Sequence, residues 1–247
     1  MAYIDLNCDM GEGVGDDSAL MPCISSANIA CGYHAGDEAL MEETARLALR
    51  HGVAIGAHPS YFDLEDFGRT EMAVPEELLY DWILDQIQLL QAVCARAGAV
   101  VRHVKPHGAL YNMAARDGSL AAVVACAVRA ADPALVLYGL SGSLLISAAQ
   151  RVGLRTASEV FADRTYQDDG SLTPRRQPGA LITDVGRSVD QVLHIIRRGT
   201  VASVSGVEVP LVAETVCLHG DGATAVALAR QLKDTLLHEK IDIRAPV

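Results

Sequence analysis

Short apolar runs that stop abruptly at ionisable residues recur along this 247-residue chain, each followed by a segment with helical periodicity. That alternation constrains the fold more than any other feature. The clearest instance is Val100-Val101-Arg102-His103-Val104-Lys105-Pro106-His107-Gly108-Ala109-Leu110-Tyr111. It opens as a β-rich run. Pro106 biases Lys105 toward extended backbone and removes a ladder donor, so Lys105 ends the strand. His107 and Gly108 then begin a loop at its C-terminal end.

The same pattern places strands at residues 3–6, 27–31, 53–57, 100–104, 134–140, 154–158 and 211–218. Helices fall between them. Asp37 reads as the N-cap of a helix over 38–51 that Gly52 stops. Pro75 reads as the first position of a helix whose inner face carries Leu79, Trp82, Ile83, Ile87, Leu90, Val93, Cys94 and Ala97. Ser119 caps a third helix, ended by Asp132-Pro133. Others run to about residue 152, over 188–198 and from about 222 to 240. Residues 165–179 form a polar stretch without periodicity, of a length that in a compact domain is functional or mobile. Residues 200–204 and 207–209 read as a small hairpin.

Seven strands alternating with helices imply a parallel sheet covered by helices, and the short apolar strands suit a sheet buried on both faces. A closed barrel and an open doubly wound sheet both satisfy this. The barrel is preferred because every strand, not only those beside one switch point, delivers polar residues at its C-terminal end. With no repeat, low-complexity segment or linker, the expectation is one α/β domain over 1–247, a (β/α) barrel-like fold of about seven parallel strands.

Half the residues are hydrophobic and only 4% are aromatic, so the core must be built from Ala, Val, Leu and Ile. A net charge of −11, with no Lys/Arg run longer than a pair, argues against nucleic-acid and anionic-membrane partners. No secretory signal and no bilayer-spanning run is evident, which points to the cytoplasm. The six cysteines form no CxxC pair and sit mostly in apolar runs, as buried reduced thiols do.

Gathered on one face, the strand ends bring Asn7, Asp9, Glu12, His34, Asp37, His58, Lys105, His107, Glu159, Asp163, Arg164, His219 and Asp221 around a common mouth. Singly, each has a plain explanation: Asp37 can serve only as a helix cap, Asp9 only as a partner of local amides. The assembly is harder to dismiss, since His34, His58, His107 and His219 all lie near strand ends. His103, inside its strand, reads as structural. Several chemistries fail on spacing. Gly11-Glu12-Gly13-Val14-Gly15 lacks the last interval of GxGxxG, and no GxxxxGK[ST] exists. Ser141-Gly142-Ser143 lacks the GxSxG frame. Cys31 near His34 could be a thiolate, but buried filler is the preferred reading. Asp9, His34, His58 and His107 suit Zn²⁺ or another divalent ion, yet no spacing such as HExxH supports one, and no metal ligand is assigned.

Asp5-Leu6-Asn7-Cys8-Asp9-Met10-Gly11-Glu12 resembles the DLNxDxGE opening of the LamB/YcsF family. Residues 27–37 are similar to its second signature, with Tyr33 where Phe is usual. Gly56-Ala57-His58-Pro59-Ser60-Tyr61, Phe67-Gly68-Arg69, residues 104–111, residues 159–166 and His219-Gly220-Asp221 match later ones, in order along nearly the whole chain. Phe62 stands where the family often has Pro, and Thr70 where it often has Arg. The resemblance implies a barrel of the glycoside hydrolase/deacetylase type. It also implies a component of a prokaryotic 5-oxoprolinase, the A subunit, opening 5-oxo-L-proline to L-glutamate with ATP hydrolysis and working with B and C subunits.

That chemistry needs a cation for anionic groups, a base for water and an acid for the departing nitrogen. Lys105 or Arg164 suits the first role. Asp9, Glu159 or Asp221 suits the second, and His107 or His219 the proton transfer. Asn7, His34, His58 and Arg164 are the expected substrate contacts. ATP, accompanied by a divalent cation such as Mg²⁺, binds on this chain or on its partners. Two other readings stay open: a metal-dependent amidase or deacetylase without nucleotide, and a non-catalytic component that presents substrate.

Overall fold

The computed structural model describes residues 3–220 and 222–247. In chain order the elements are β1 (Tyr3–Met10), α1 (Asp17–Leu20), β2 (Ser26–Ala30), α2 (Glu38–His51), β3 (Ala54–His58) and α3 (Glu76–Arg96). Then follow β4 (Val101–Val104), α4 (Gly108–Arg116), α5 (Gly118–Ala131), β5 (Val136–Leu140), α6 (Leu144–Arg151), β6 (Arg155–Phe161) and α7 (Val185–Arg198). The chain closes with β7 (Thr200–Ala202), β8 (Glu208–Pro210), β9 (Thr215–Leu218), α8 (Ala225–His238) and β10 (Asp242–Ile243).

Strands β1 to β6 pair in sequence, all parallel, and β9 pairs with both β6 and β1. The seven strands therefore close into a barrel, as the alternation of runs requires. The hairpin expected near residue 205 is β7–β8, antiparallel with Val201 opposite Val209. The short β10 adds to the first residues of β1 outside the ring.

Local chemistry explains most boundaries. Asp37 caps α2 through Leu40 N–H, and Gly52 ends it in the left-handed region at φ 68°. Three boundaries differ from expectation. Pro75 is the extended residue before α3 rather than its first helical one. Asp117, not Ser119, caps α5, because its carboxylate accepts from both Ser119 and Leu120 N–H. Residues after His107 do not form a loop: Gly108–Arg116 is a helix that buries Ala109, Leu110, Tyr111 and Ala114.

Two strands run further than their apolar stretches. β1 continues through Met10, so Asn7 and Asp9 lie within it, and β6 continues through Phe161, so Glu159 is a strand residue. The reason is a period of two. Ile4, Leu6, Cys8 and Met10 are buried in the main apolar core. The alternate residues Asp5 and Asn7 are fully buried too, but they hydrogen-bond across the barrel to Ser26, Thr215, Glu159 and Asn28. The barrel interior is thus a polar network toward its mouth, and an apolar run does not mark the end of such a strand. All six cysteines are free, and all but Cys126 are buried. Burial pushes the Cys31 thiol up to about 12, which suits filler and not a nucleophile.

Candidate functional site

The floor of the site is the buried network around Lys105. Its Nζ lies 2.9 Å from Asp9 Oδ1, 3.0 Å from Glu159 Oε1, 3.1 Å from Cys217 Sγ and 3.2 Å from Asn7 Oδ1. The Asn7 amide donates to Glu159 Oε1 at 2.9 Å and to Thr215 Oγ1 at 2.7 Å. The Asn28 amide donates to Asn7 Oδ1 and Asp9 Oδ1, while its own oxygen accepts from His103 Nε2 at 2.8 Å. These bonds tie neighbouring strands together across the barrel, which fixes the direction of the polar side chains beneath the mouth.

Electrostatics follow from this packing. Burial alone would push the Lys105 ammonium down, but Asp9, Cys217 and Glu159 around it hold it well above its ordinary value. Burial likewise would raise Asp9, but His58 and Lys105 outweigh that and keep the carboxyl well below the usual range. Asp9 is therefore an anion with one oxygen committed to Lys105. Its other oxygen, Oδ2, faces His58 Nε2 at 3.3 Å.

Three imidazoles and a carboxylate line one side of the mouth. His58 ends β3, and its Nδ1 donates to the Lys105 carbonyl at 2.7 Å. Just beyond it, Ser60 is clamped by Gln86, whose amide both donates to the Ser60 carbonyl and accepts from Ser60 N–H. His107 is the N-cap of α4, and its Nε2 donates to the Phe67 carbonyl at 2.9 Å. His34, from the loop after β2, stacks on His107 with centroids 3.9 Å apart and planes 5° from parallel. Its Nε2 lies 3.1 Å from Glu12 Oε1, and its Nδ1 is buried with no partner among the described residues. Burial pushes His107 well below the ordinary imidazole value, helped by its histidine neighbours, and pushes His34 down with partial opposition from Glu12.

On the opposite side, His219 Nδ1 donates to Asp163 at 2.9 Å, and one ring nitrogen, Asp9 and Cys217 Sγ lie within 4.8 Å of one another. Burial would raise the Asp163 carboxyl, but His219 and Arg164 hold it below the ordinary range. Arg164 is buried, bonds the Thr173 carbonyl at 2.6 Å through Nη2 and leaves Nε with no partner among the described residues. Burial and then Arg175 lower its pKa.

Of the residues read from the sequence, Asp9, His34, His58, Lys105, His107 and His219 do meet at one end of the barrel. Asn7 and Glu159 lie in the buried floor rather than on the rim. Arg164 stands beside Asp163. Asp37 serves α2 as a cap, and Asp221 lies outside the described residues. His103 is structural, as expected: it stacks on Tyr138 at 4.3 Å. Glu12 is the residue to which sequence reasoning gives a place but no role, yet it meets both His34 and His107, the latter at 3.5 Å. The signal available is its place two residues past the end of β1.

A closed parallel (β/α) barrel with carboxylates and imidazoles converging at the strands' C-terminal ends has the layout of a barrel enzyme. The chain belongs to the LamB/YcsF family, whose model matches residues 4–247. It is 55% identical, over all of its length and 98% of the relative's, to a Geobacillus kaustophilus protein named as the A subunit of 5-oxoprolinase. A lactam utilization protein from Thermus thermophilus superposes with a TM-score of 0.93 at 41% identity, over 98% of this chain and 99% of that one. A peptidoglycan deacetylase from Bacillus subtilis shares the fold alone, with a TM-score of 0.51 at 11% identity over 98% of this chain and 87% of the other.

Proposed function

We propose that this chain is the A component of a 5-oxoprolinase, which opens the lactam of 5-oxo-L-proline to L-glutamate in a complex with B and C subunits and with hydrolysis of ATP. The full-length relationship to proteins of that name supplies the substrate class. The observation that carries the chemical assignment is the Asp9 carboxylate, anchored by Lys105 through one oxygen while the other faces His58 at the mouth.

A five-membered lactam is a poor electrophile, and its hydrolysis is uphill enough to need coupling. Phosphorylation of the amide oxygen makes the ring carbon attackable and creates a leaving group. Water then adds to that carbon, the C–N bond breaks as the nitrogen takes a proton, and the acyl phosphate that remains is hydrolysed by a second water to glutamate and inorganic phosphate. Asp9 is the base toward water. His219, oriented by Asp163, returns a proton to the nitrogen. Arg164 binds the substrate carboxylate through guanidinium N–H groups it does not spend on Thr173. Lys105, itself paired with Glu159, acts beneath, holding Asp9 ionised and in place. Because the chain has no Walker-type loop, we place ATP and its Mg²⁺ on the partner subunits or shared with them. Dependence on ATP puts the complex in the cytoplasm; among the described residues no helix is long and apolar enough to cross a membrane.

The experiment is glutamate release from 5-oxoproline and ATP, measured for the chain alone and with its partner subunits. Activity is expected only in the mixture. Release by the partners without this chain, at the rate of the mixture, would overturn the proposal.

A further inference from the structure

We propose that Glu12, His34, His58 and His107 bind one transition-metal dication of the zinc class, through Glu12 Oε1, His34 Nε2, His58 Nε2 and His107 Nδ1. This assignment stands whether or not the chain acts on a lactam.

The first support is a conflict between two lone pairs. A backbone carbonyl can only accept, so the bond from His58 Nδ1 to the Lys105 carbonyl puts the proton on Nδ1. By the same logic the bond from His107 Nε2 to the Phe67 carbonyl puts its proton on Nε2. The remaining nitrogens, His58 Nε2 and His107 Nδ1, point at each other 2.9 Å apart. In the neutral rings both carry bare lone pairs, and neither can donate to the other. A cation between or beside them resolves the conflict. Anchoring of the second ring nitrogen to a backbone carbonyl is also how metal-binding histidines are held in one tautomer.

The second support is spacing. Four donors at the usual zinc distances of about 2.1 Å stand roughly 3.4 Å apart in a tetrahedron. Here Glu12 Oε1 lies 3.1 Å from His34 Nε2 and 3.5 Å from His107 Nδ1, and all four donor atoms fall within 4.8 Å of one another. The donors come from the ends of β1, β2, β3 and β4, four neighbouring strands whose separation the barrel fixes. Three imidazoles and one carboxylate suit Zn²⁺, Co²⁺, Ni²⁺ or Fe²⁺ and not Mg²⁺ or Ca²⁺, which take oxygen ligands. The ion is thus distinct from the magnesium that accompanies a nucleotide. Asp9 Oδ2, 3.3 Å from His58 Nε2, stands beside it.

The competing occupant of the gap is a single proton shared by His58 and His107, and titration calorimetry separates the two. The chelator-stripped protein is titrated with Zn²⁺, and separately with Co²⁺ while the visible spectrum is recorded. One equivalent of Zn²⁺ per chain is expected, with binding at least about a hundredfold weaker in His58→Gln and His107→Gln. Exposed His194→Gln should bind as wild type, and excess Mg²⁺ should not compete. Absence of stoichiometric binding by the folded wild-type chain, or wild-type binding by both site variants, would overturn the assignment. Should those variants fail to fold, the wild-type Co²⁺ spectrum decides: intense d–d bands of a low-coordinate imidazole site support it, and the weak bands of hexaaqua cobalt refute it.

Discussion

Lys105 Nζ sits 2.9 Å from Asp9 Oδ1, joining the end of β4 to β1 across the barrel. Lys105 is 3% exposed, so this pair is part of the buried framework and not a mobile surface bridge. A buried charge with its partner removed is costly, on the order of 3–5 kcal/mol. Lys105→Met should therefore lower the denaturation free energy by about that amount as well as abolish turnover, because Asp9 and Glu159 then face each other without a cation. Adding Glu159→Gln should restore part of the loss, and denaturant titration of the two variants measures the coupling.

The buried imidazole of His103 makes stability depend on acid. Burial lowers its pKa from 6.5 to about 3 in the folded protein, with Lys105 and His58 adding to the shift. The unfolded chain takes up a proton below about pH 6.5 that the folded chain refuses, so the contribution is complete above that pH. It is lost progressively as pH falls toward 3, at up to about 1.4 kcal/mol per pH unit. His103→Gln should flatten the fall in unfolding free energy between pH 6 and 4, followed by chemical denaturation at each pH.

Gly56 is required by that same ring. A Cβ at position 56 would overlap the His103 imidazole, whose Nε2 is fixed by Asn28. Overpacking of this kind costs about 1–3 kcal/mol or more. Gly56→Ala should lower Tm by several degrees, whereas Gly52→Asn, at an open left-handed position, should leave it nearly unchanged.

The strand ends that carry proline or a run of ionisable groups are the ones the sequence makes legible. Lys105-Pro106-His107 announces its strand end through proline chemistry, so the barrel and the meeting of His58, Lys105, His107 and His219 follow from local pattern. Apolar runs that stop at Leu6 and Ser158 put Asn7 and Glu159 on the rim. In fact β1 and β6 continue, with polar side chains satisfied inside the barrel by partners up to 210 positions away. Such pairing is set by closure of the sheet, which no local window contains. The pairing of Glu12 with His34 likewise depends on the register of β1 against β2, with Met10 opposite Ile29.

Asp163 positions His219 by accepting from its Nδ1. Asp163→Asn keeps the size of the side chain but not its charge. It should lower kcat of the reconstituted complex by about 10²-fold or more, with KM and Tm little changed. A rise in KM alone would assign Asp163 to substrate binding instead.

The most direct measurement is glutamate release by the complex assembled with Asp9→Asn in this chain. In complexes that still assemble, the rate should fall by about 10²–10⁴-fold. A variant complex that releases glutamate at the wild-type rate would show that the chemistry is done elsewhere, and that the carboxylate at the end of β1 has only a structural part.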